Sequence, residues 1–153
     1  FNYLPLDGTK GELLYVKIPN LKIKSIVKSS VFIIPIGNDI YKVGATYNWQ
    51  DKTDDLTDDA KKELIEGLQK LIDCDYEIIE HVAGVRPTVK DRRPLVGAHY
   101  QFKNVYILNG LGTRGVLLGP YLADKLIQNI ENSVPLDPNI HVARYYKKLQ
   151  LIK

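Results

Sequence analysis

Methionine is absent from this 153-residue chain, and cysteine and tryptophan occur once each. The lone thiol, Cys74, excludes an internal disulfide, and with only three scattered histidines it also excludes a cysteine-built zinc site. A reducing cytoplasm is the expected compartment. Long hydrophobic runs are missing as well: the longest, residues 31–36, falls far short of the roughly 20 residues a bilayer span requires. No membrane partner is expected. Charge of one sign is not in excess either, since 21 Lys and Arg face 18 Asp and Glu, and a dispersed net charge of +3 does not call for nucleic acid as a partner. Paired carboxylates, a histidine constellation and a metal-ligand register are all lacking, so neither a catalytic acid–base residue nor a metal site is assigned.

What the chain does have is 44% hydrophobic and 25% charged residues, enough for an ordinary globular core. It starts at Phe1 with no signal-type segment and no methionine, so the expectation is a piece of a longer polypeptide, carrying part of an active site.

The pattern predicts an α+β fold. The apolar run at 13–18, followed by Leu21, Ile23, Ile26 and Val27 around a Pro19-Asn20 turn, suits an antiparallel meander. Residues 31–35 and 40–47 flank Gly37-Asn38-Asp39, whose tolerance of positive φ predicts a hairpin. Thr57 is placed to cap a helix with Asp58 and Asp59 in its first turn. Leu64, Ile65, Leu68, Leu71 and Ile72 recur at helical spacing, and Gly67 on the same side permits close approach to a sheet. A strand over 77–83 runs into Gly84-Val85-Arg86-Pro87, where proline enforces extended backbone, and 88–94 reads as loop. A strand at 105–108, a loop at 109–115 and an amphipathic helix over 116–130 follow. Leu118, Leu122, Leu126 and Ile130 form that helix's buried side with Ala123 and Ile127 beside them, and Pro120 is assigned to its first turn.

Gly110, Gly112 and Gly115 fit the spacing G-x-G-x-x-G between a strand and a helix. The context of a complete dinucleotide fingerprint is missing, because Glu131-Asn132-Ser133-Val134-Pro135 follows the helix where a second parallel strand ending in an acidic residue is required. What remains is a helix N-terminus preceded by small residues. Either it receives an electron-rich group on converging N–H donors, or it is a plain glycine turn packing strand against helix.

Seven segments in order carry a resemblance: T-K-G-E-L-L from Thr9, F-I-I-P from Phe32, V-G-A-T from Val43, G-V-R-P from Gly84, D-R-R-P-L-V-G from Asp91, N-G-L-G-T-R-G-V-L-L-G-P from Asn109 and L-D-P from Leu136. Together they resemble the C-terminal half of the D-amino-acid-oxidase-like family of FAD-dependent oxidoreductases, above all its glycine-oxidase and sarcosine-oxidase-like members. The resemblance implies a substrate-binding domain over 10–83, a return to the FAD-binding domain over 84–134 and a tail over 135–153. The strand, Gly-rich loop and helix would complete a Rossmann-like FAD-binding domain whose N-terminal segment is absent here and is a partner of this chain. FAD is the implied cofactor of the complete protein and is not expected to stay with this piece in stoichiometric amount.

The same resemblance implies roles for named residues. Gly110, Leu111, Gly112, Thr113, Arg114, Gly115, Val116 and Leu117 would lie along the pyrimidine side of the flavin, with Gly84 and Val85 also at the cofactor. Arg86 matches an arginine that pairs with a substrate carboxylate. Phe32 stands where glycine-oxidase-type members have a tyrosine, which counts against glycine itself as substrate, and Tyr47 falls at another substrate-facing position. Arg114 is either a second anion contact or an outward charge. The implied reaction is hydride transfer from the carbon beside an amine nitrogen of a small amine or amino acid to the flavin. Two alternatives stand beside it: a non-catalytic α+β binding module, and the oxidase domain of bacterial enzymes that modify an aminomethyl uridine in transfer RNA, which the Thr113-Arg114-Gly115 variant of the loop resembles.

Overall fold

A computed structural model describes residues 1–146. The expected tail over 135–153 is therefore described as far as Tyr146, and 147–153 lie outside the described residues. Seven strands and two α-helices follow in the order β1 (Leu6–Lys17), β2 (Val27–Lys28), β3 (Phe32–Gly37), β4 (Ile40–Gly44), α1 (Asp58–Gln69), β5 (Glu77–Val89), β6 (Leu95–Ala98), β7 (Tyr106–Asn109) and α2 (Gly115–Asn132). The α+β architecture expected from the sequence is the one found. The chain divides into two compact units, Thr9–Val85 and the pair formed by Phe1–Gly8 with the chain from Arg86 on.

In the first unit the sheet runs β2-β3-β4-β1-β5. The hairpin β3–β4 pairs Ile33 with Val43 and turns through Asn38 (φ 53°) and Asp39 (φ 58°), the left-handed pair that the twist of a tight hairpin demands. Leu14, Val16 and Ile18 alternate into the core with Ile33, Tyr41 and Val43, and α1 covers them with Leu64 and Leu68. Thr57 accepts a hydrogen bond from the Ala60 N–H at the start of α1, as its position predicts. Gly67 has a packing reason: a Cβ there would stand 2.5 Å from Cγ1 of Val31. Gly67→Ala is expected to cost roughly 1–3 kcal/mol, the usual range for overpacking, read as a lower urea midpoint with unchanged slope.

Two expectations fail here. The meander expected through 19–27 is absent apart from the two-residue β2; the segment is held instead by the Tyr41 hydroxyl, which donates to the Leu21 carbonyl, and by the exposed Lys22–Asp39 pair at 2.7 Å. The loop expected from 88 starts later, since β5 continues through Pro87 to Val89. Proline is found here on β5, the edge of the sheet, the position where strands tolerate it.

In the second unit β6 and β7 form an antiparallel pair with Val96 opposite Leu108. The strand β6 was not expected: with four residues, Leu95, Val96 and Gly97 all buried, it has no alternation to read. Leu4, Val89, Leu95, Val142 and Tyr145 make one core cluster, while Val96, Leu122 and Leu136 make another with Leu118 and Leu126 beside them. Ile127 (50% exposed) and Ile130 (42%) are not on the buried side as expected. The helix is instead stopped by Ser133 (φ 56°), and the returning Leu136 and Ile140 fill only the Leu122 side. Pro120 also sits deeper than assigned, as the sixth residue of α2, where its ring removes one helical hydrogen bond on an exposed face.

Candidate functional site

The glycine loop is built by backbone constraint. Strand β7 ends at Asn109, whose side chain accepts from the Gly110 N–H at 2.8 Å, and Gly110 takes φ 73°. A Cβ at Gly110 would lie 2.6 Å from Cγ2 of Val89, so space and backbone both demand glycine. Gly110→Ala is expected to destabilise by about 1–3 kcal/mol through left-handed strain and the clash, measured by thermal unfolding. Gly112 (φ 54°) then opens a single 3-10 turn, Gly112–Arg114, in which the Arg114 N–H donates to the Leu111 carbonyl at 3.0 Å.

Helix α2 starts directly from that turn with no side-chain cap at Arg114. The first-turn N–H groups of Gly115, Val116 and Leu117 therefore meet no capping side chain, at the positive end of a helix of 18 residues. Beside them Val116 is 98% and Leu117 77% exposed, and Thr113 is exposed as well. Uncapped donors next to bare apolar side chains suit a flat heteroaromatic ring that gathers negative charge on one edge. A flavin pyrimidine has that chemistry, so the residues present fit FAD.

Arg86 stands near the end of β5, half-buried with its Nη1 nitrogen shielded from solvent. The Thr88 hydroxyl donates to its carbonyl at 3.2 Å and stands 3.7 Å from where a Gly112 Cβ would be, so the strand segment carrying Arg86 lies against the glycine loop. Gly84 and Val85 precede it on the same strand, Gly84 facing open space and Val85 exposed. Arg114 donates through Nη2 to the Arg92 carbonyl at 2.6 Å, which holds its exposed guanidinium beside the 91–94 loop. That loop is pinned by Asp91, which accepts from the Arg93 N–H at 3.0 Å and the Tyr145 hydroxyl at 2.7 Å.

The remaining candidates belong to the first unit. The Phe32 ring covers Gly44, its cross-strand partner: a Cβ on Gly44 would stand 2.6 Å from Phe32 Cζ. Tyr47 is 45% exposed, stands edge-on to Trp49 at 5.8 Å and lines a hollow of about 480 Å³ with Glu12, Thr57 and Glu63. The structure thus gathers Arg86 with Gly110–Gly112 in one unit and Phe32 with Tyr47 in the other.

One group of residues escaped the sequence reading. Lys10 (1% exposed) and Glu12 (2%) are buried on β1. Glu12 accepts from the Thr57 N–H at 3.0 Å and the Thr57 hydroxyl at 2.8 Å, and lies 2.9 Å from His81 Nε2 and 3.6 Å from Lys10 Nζ. Lys10 Nζ donates in turn to Asp51 at 2.5 Å. The available signal was two opposite charges two residues apart on a strand face otherwise made of Leu6, Gly8, Leu14 and Val16. Hydrogen bonds from Lys10 and from Thr53 lower the Asp51 pKa from 3.8 to about 2, and the same contact with Asp51 raises that of Lys10. Because the folded-state value is depressed, the stability it contributes is complete above about pH 4 and lost as pH falls towards about 2. Asp51→Asn is expected to lower the melting temperature at neutral pH and to flatten its fall across that window.

Among the described residues no group of three or more His, Cys, Asp or Glu is placed to hold a metal ion, and no helix is long and apolar enough to cross a membrane. A family model described as FAD dependent oxidoreductase (DAO) matches residues 2–128. The chain belongs to that family. The family's cofactor is FAD. Among curated relatives, the tRNA 5-methylaminomethyl-2-thiouridine biosynthesis bifunctional protein MnmC of Idiomarina loihiensis is 25% identical over 129 residues, covering 80% of this chain and 21% of that protein. Among solved structures, iminodiacetate oxidase from Chelativorans sp. BNC1 superimposes with a TM-score of 0.77 at 23% identity, covering 90% of this chain and 40% of that one. Glycine oxidase from Geobacillus kaustophilus gives a TM-score of 0.74 at 21% identity, covering 90% and 39%. The family fold extends over most of this chain, and the chain spans a minority of each relative's length.

Proposed function

We propose that this chain is part of an FAD-dependent oxidoreductase that oxidises the C–N bond of a small amine or amino acid, with the first unit and Arg86 serving the substrate and the rest of the second unit serving the flavin. The observation that carries the reading is the uncapped start of α2, with donors and bare apolar side chains side by side. Bound FAD supplies the two-electron acceptor for a hydride leaving the carbon beside the amine nitrogen. The protein's part is orientation. N–H groups of residues 115–117 stabilise negative charge gathering at the ring edge, while Gly110 and Gly112 let the backbone turn away and leave that edge accessible. Arg86 offers a planar, permanently charged fork to a substrate carboxylate and so aligns the carbon–hydrogen bond that breaks. With the amine arriving neutral no general base is required, and the imine product hydrolyses in water.

In this reading a further polypeptide segment binds the ADP part of FAD. Produced together with such a segment, the chain is expected to give a yellow protein with flavin absorption that survives gel filtration. Produced alone it is expected to keep no stoichiometric FAD. A colourless joined protein overturns the reading in favour of a binding module without redox activity. A second reading rests on the curated relatives named for tRNA modification: the amine is carried on a uridine of RNA. Turnover of an aminomethyl-uridine oligonucleotide but of no free amino acid selects it.

A further inference from the structure

Beside the flavin-facing end of α2, and separate from the proposed chemistry, the second unit holds a groove of about 710 Å³. It is lined by Arg92, Arg93, Arg114 and Lys125 together with the buried Leu136 and the Tyr121 side chain, which is 59% exposed. Among the described residues no carboxylate lies within ion-pairing distance of any of these four cations, and Asp91 beside them pairs with Arg144 at 3.3 Å. Two of the cations are held by neutral acceptors instead: Arg93 Nη1 donates to the Asn139 side chain at 2.7 Å, and Arg114 to the Arg92 carbonyl at 2.6 Å. Asp137, the one acid on the wall, spends its Oδ1 on the N–H and the side-chain amide of Asn139 at 2.8 and 3.0 Å. Lys125 Nζ sits 5.4 Å from the Tyr121 ring centre, adding positive potential to an aromatic face.

Four like charges outnumber the single carboxylate on the wall and repel one another, and an anion entering the groove relieves that repulsion. Guanidinium forks suit the oxygens of a phosphate, the exposed tyrosine offers a stacking face, and the volume lies in the range of small-ligand sites. We infer that this groove binds a nucleoside phosphate, its phosphate held by Arg92 and Arg93 and its base against Tyr121. The inference is independent of the amine oxidation proposed above, because none of Arg93, Tyr121 and Lys125 is assigned to that chemistry.

Calorimetric titration of the chain with uridine monophosphate, uridine, inorganic phosphate and an octauridylate tests it at low salt. Uridine monophosphate is expected to bind at least about tenfold more tightly than uridine or phosphate alone, since it uses both halves of the site. Tyr121→Ala is expected to weaken it roughly five- to a hundredfold, and Arg93→Ala by roughly tenfold or more. Because the Arg93 side chain also braces Asn139, Lys125→Ala, which breaks no hydrogen bond, serves as a second charge variant and is expected to weaken binding with added salt dependence. A response to octauridylate alone, abolished by the same substitutions, supports the inference and assigns the nucleotide to an RNA strand. Equal binding of uridine and its monophosphate, equal binding of phosphate alone, affinities unmoved by the variants, or no saturable binding of either nucleotide form overturns it.

Discussion

Arg86→Ala in the complete flavoenzyme is expected to reduce kcat/KM for carboxylated amines by roughly 30- to several-thousand-fold, the consequence of losing a buried, hydrogen-bonded charge contact of about 2–5 kcal/mol. Most of the loss should fall on KM, because a carboxylate remote from the breaking bond is held similarly in the ground and transition states. Flavin content should be unchanged. An amine lacking the carboxylate is the control, and its turnover should be insensitive to the substitution. Steady-state kinetics on the two substrate types measure this. Equal losses on both would move Arg86 from substrate recognition to holding its strand beside the glycine loop, where Thr88 already links it to Gly112.

The second large effect is on stability. Glu12→Ala removes the carboxylate that Thr57, His81 and Lys10 converge on, and it is 2% exposed. A buried cation and two donors then lose a partner, which is expected to cost about 3–5 kcal/mol, the range for breaking a buried pair from one side. Glu12→Gln keeps an acceptor for the Thr57 N–H and is expected to cost less. Urea unfolding of the three proteins checks the order, and a loss below about 1 kcal/mol for the alanine variant would mean that solvent or a neighbour replaces the carboxylate. The same substitution should loosen the start of α1, since Thr57 both caps that helix and donates to Glu12.

The parts of the fold that were legible in the sequence are those governed by local rules. Asn38 and Asp39 announce a hairpin because few residues accept positive φ in succession, and Thr57 with Asp58 and Asp59 announces a helix start. Gly67 announced close packing because it interrupts an apolar helical stripe. The illegible parts depend on partners distant in sequence. Strand β6 exists because Leu95 and Val96 meet β7 and the returning segment around Val142, and nothing within four residues reveals that. The exposure of Ile127 and Ile130 has the same origin: the apolar stripe on α2 is wider than the surface that Leu136 and Ile140 cover.

The candidate site divides in the same way. The glycine spacing at 110, 112 and 115 was visible, and so was its failure as a complete dinucleotide fingerprint. The open helix start was visible too, as N–H donors behind small residues; what was not visible is the course of the Arg114 side chain, which donates to the Arg92 carbonyl 22 residues away. Phe32 shows the opposite case. Its resemblance to a substrate-facing position is readable from the segment F-I-I-P, whereas its packing over Gly44 depends on the strand register. The Lys10–Glu12–His81 group joins strands 69 residues apart (81 − 12), so no local window contains it.

The most direct measurement is amide chemical shift in the complete flavoenzyme, with this chain's backbone labelled with nitrogen-15, compared between the oxidised and reduced flavin. The amides of Gly115, Val116 and Leu117 are expected to move most among residues 86–146, because the proposed function sets them against the ring edge where the charge added on reduction collects. Motionless amides there, with the largest changes elsewhere in the chain, would contradict the assignment of the α2 start to the flavin.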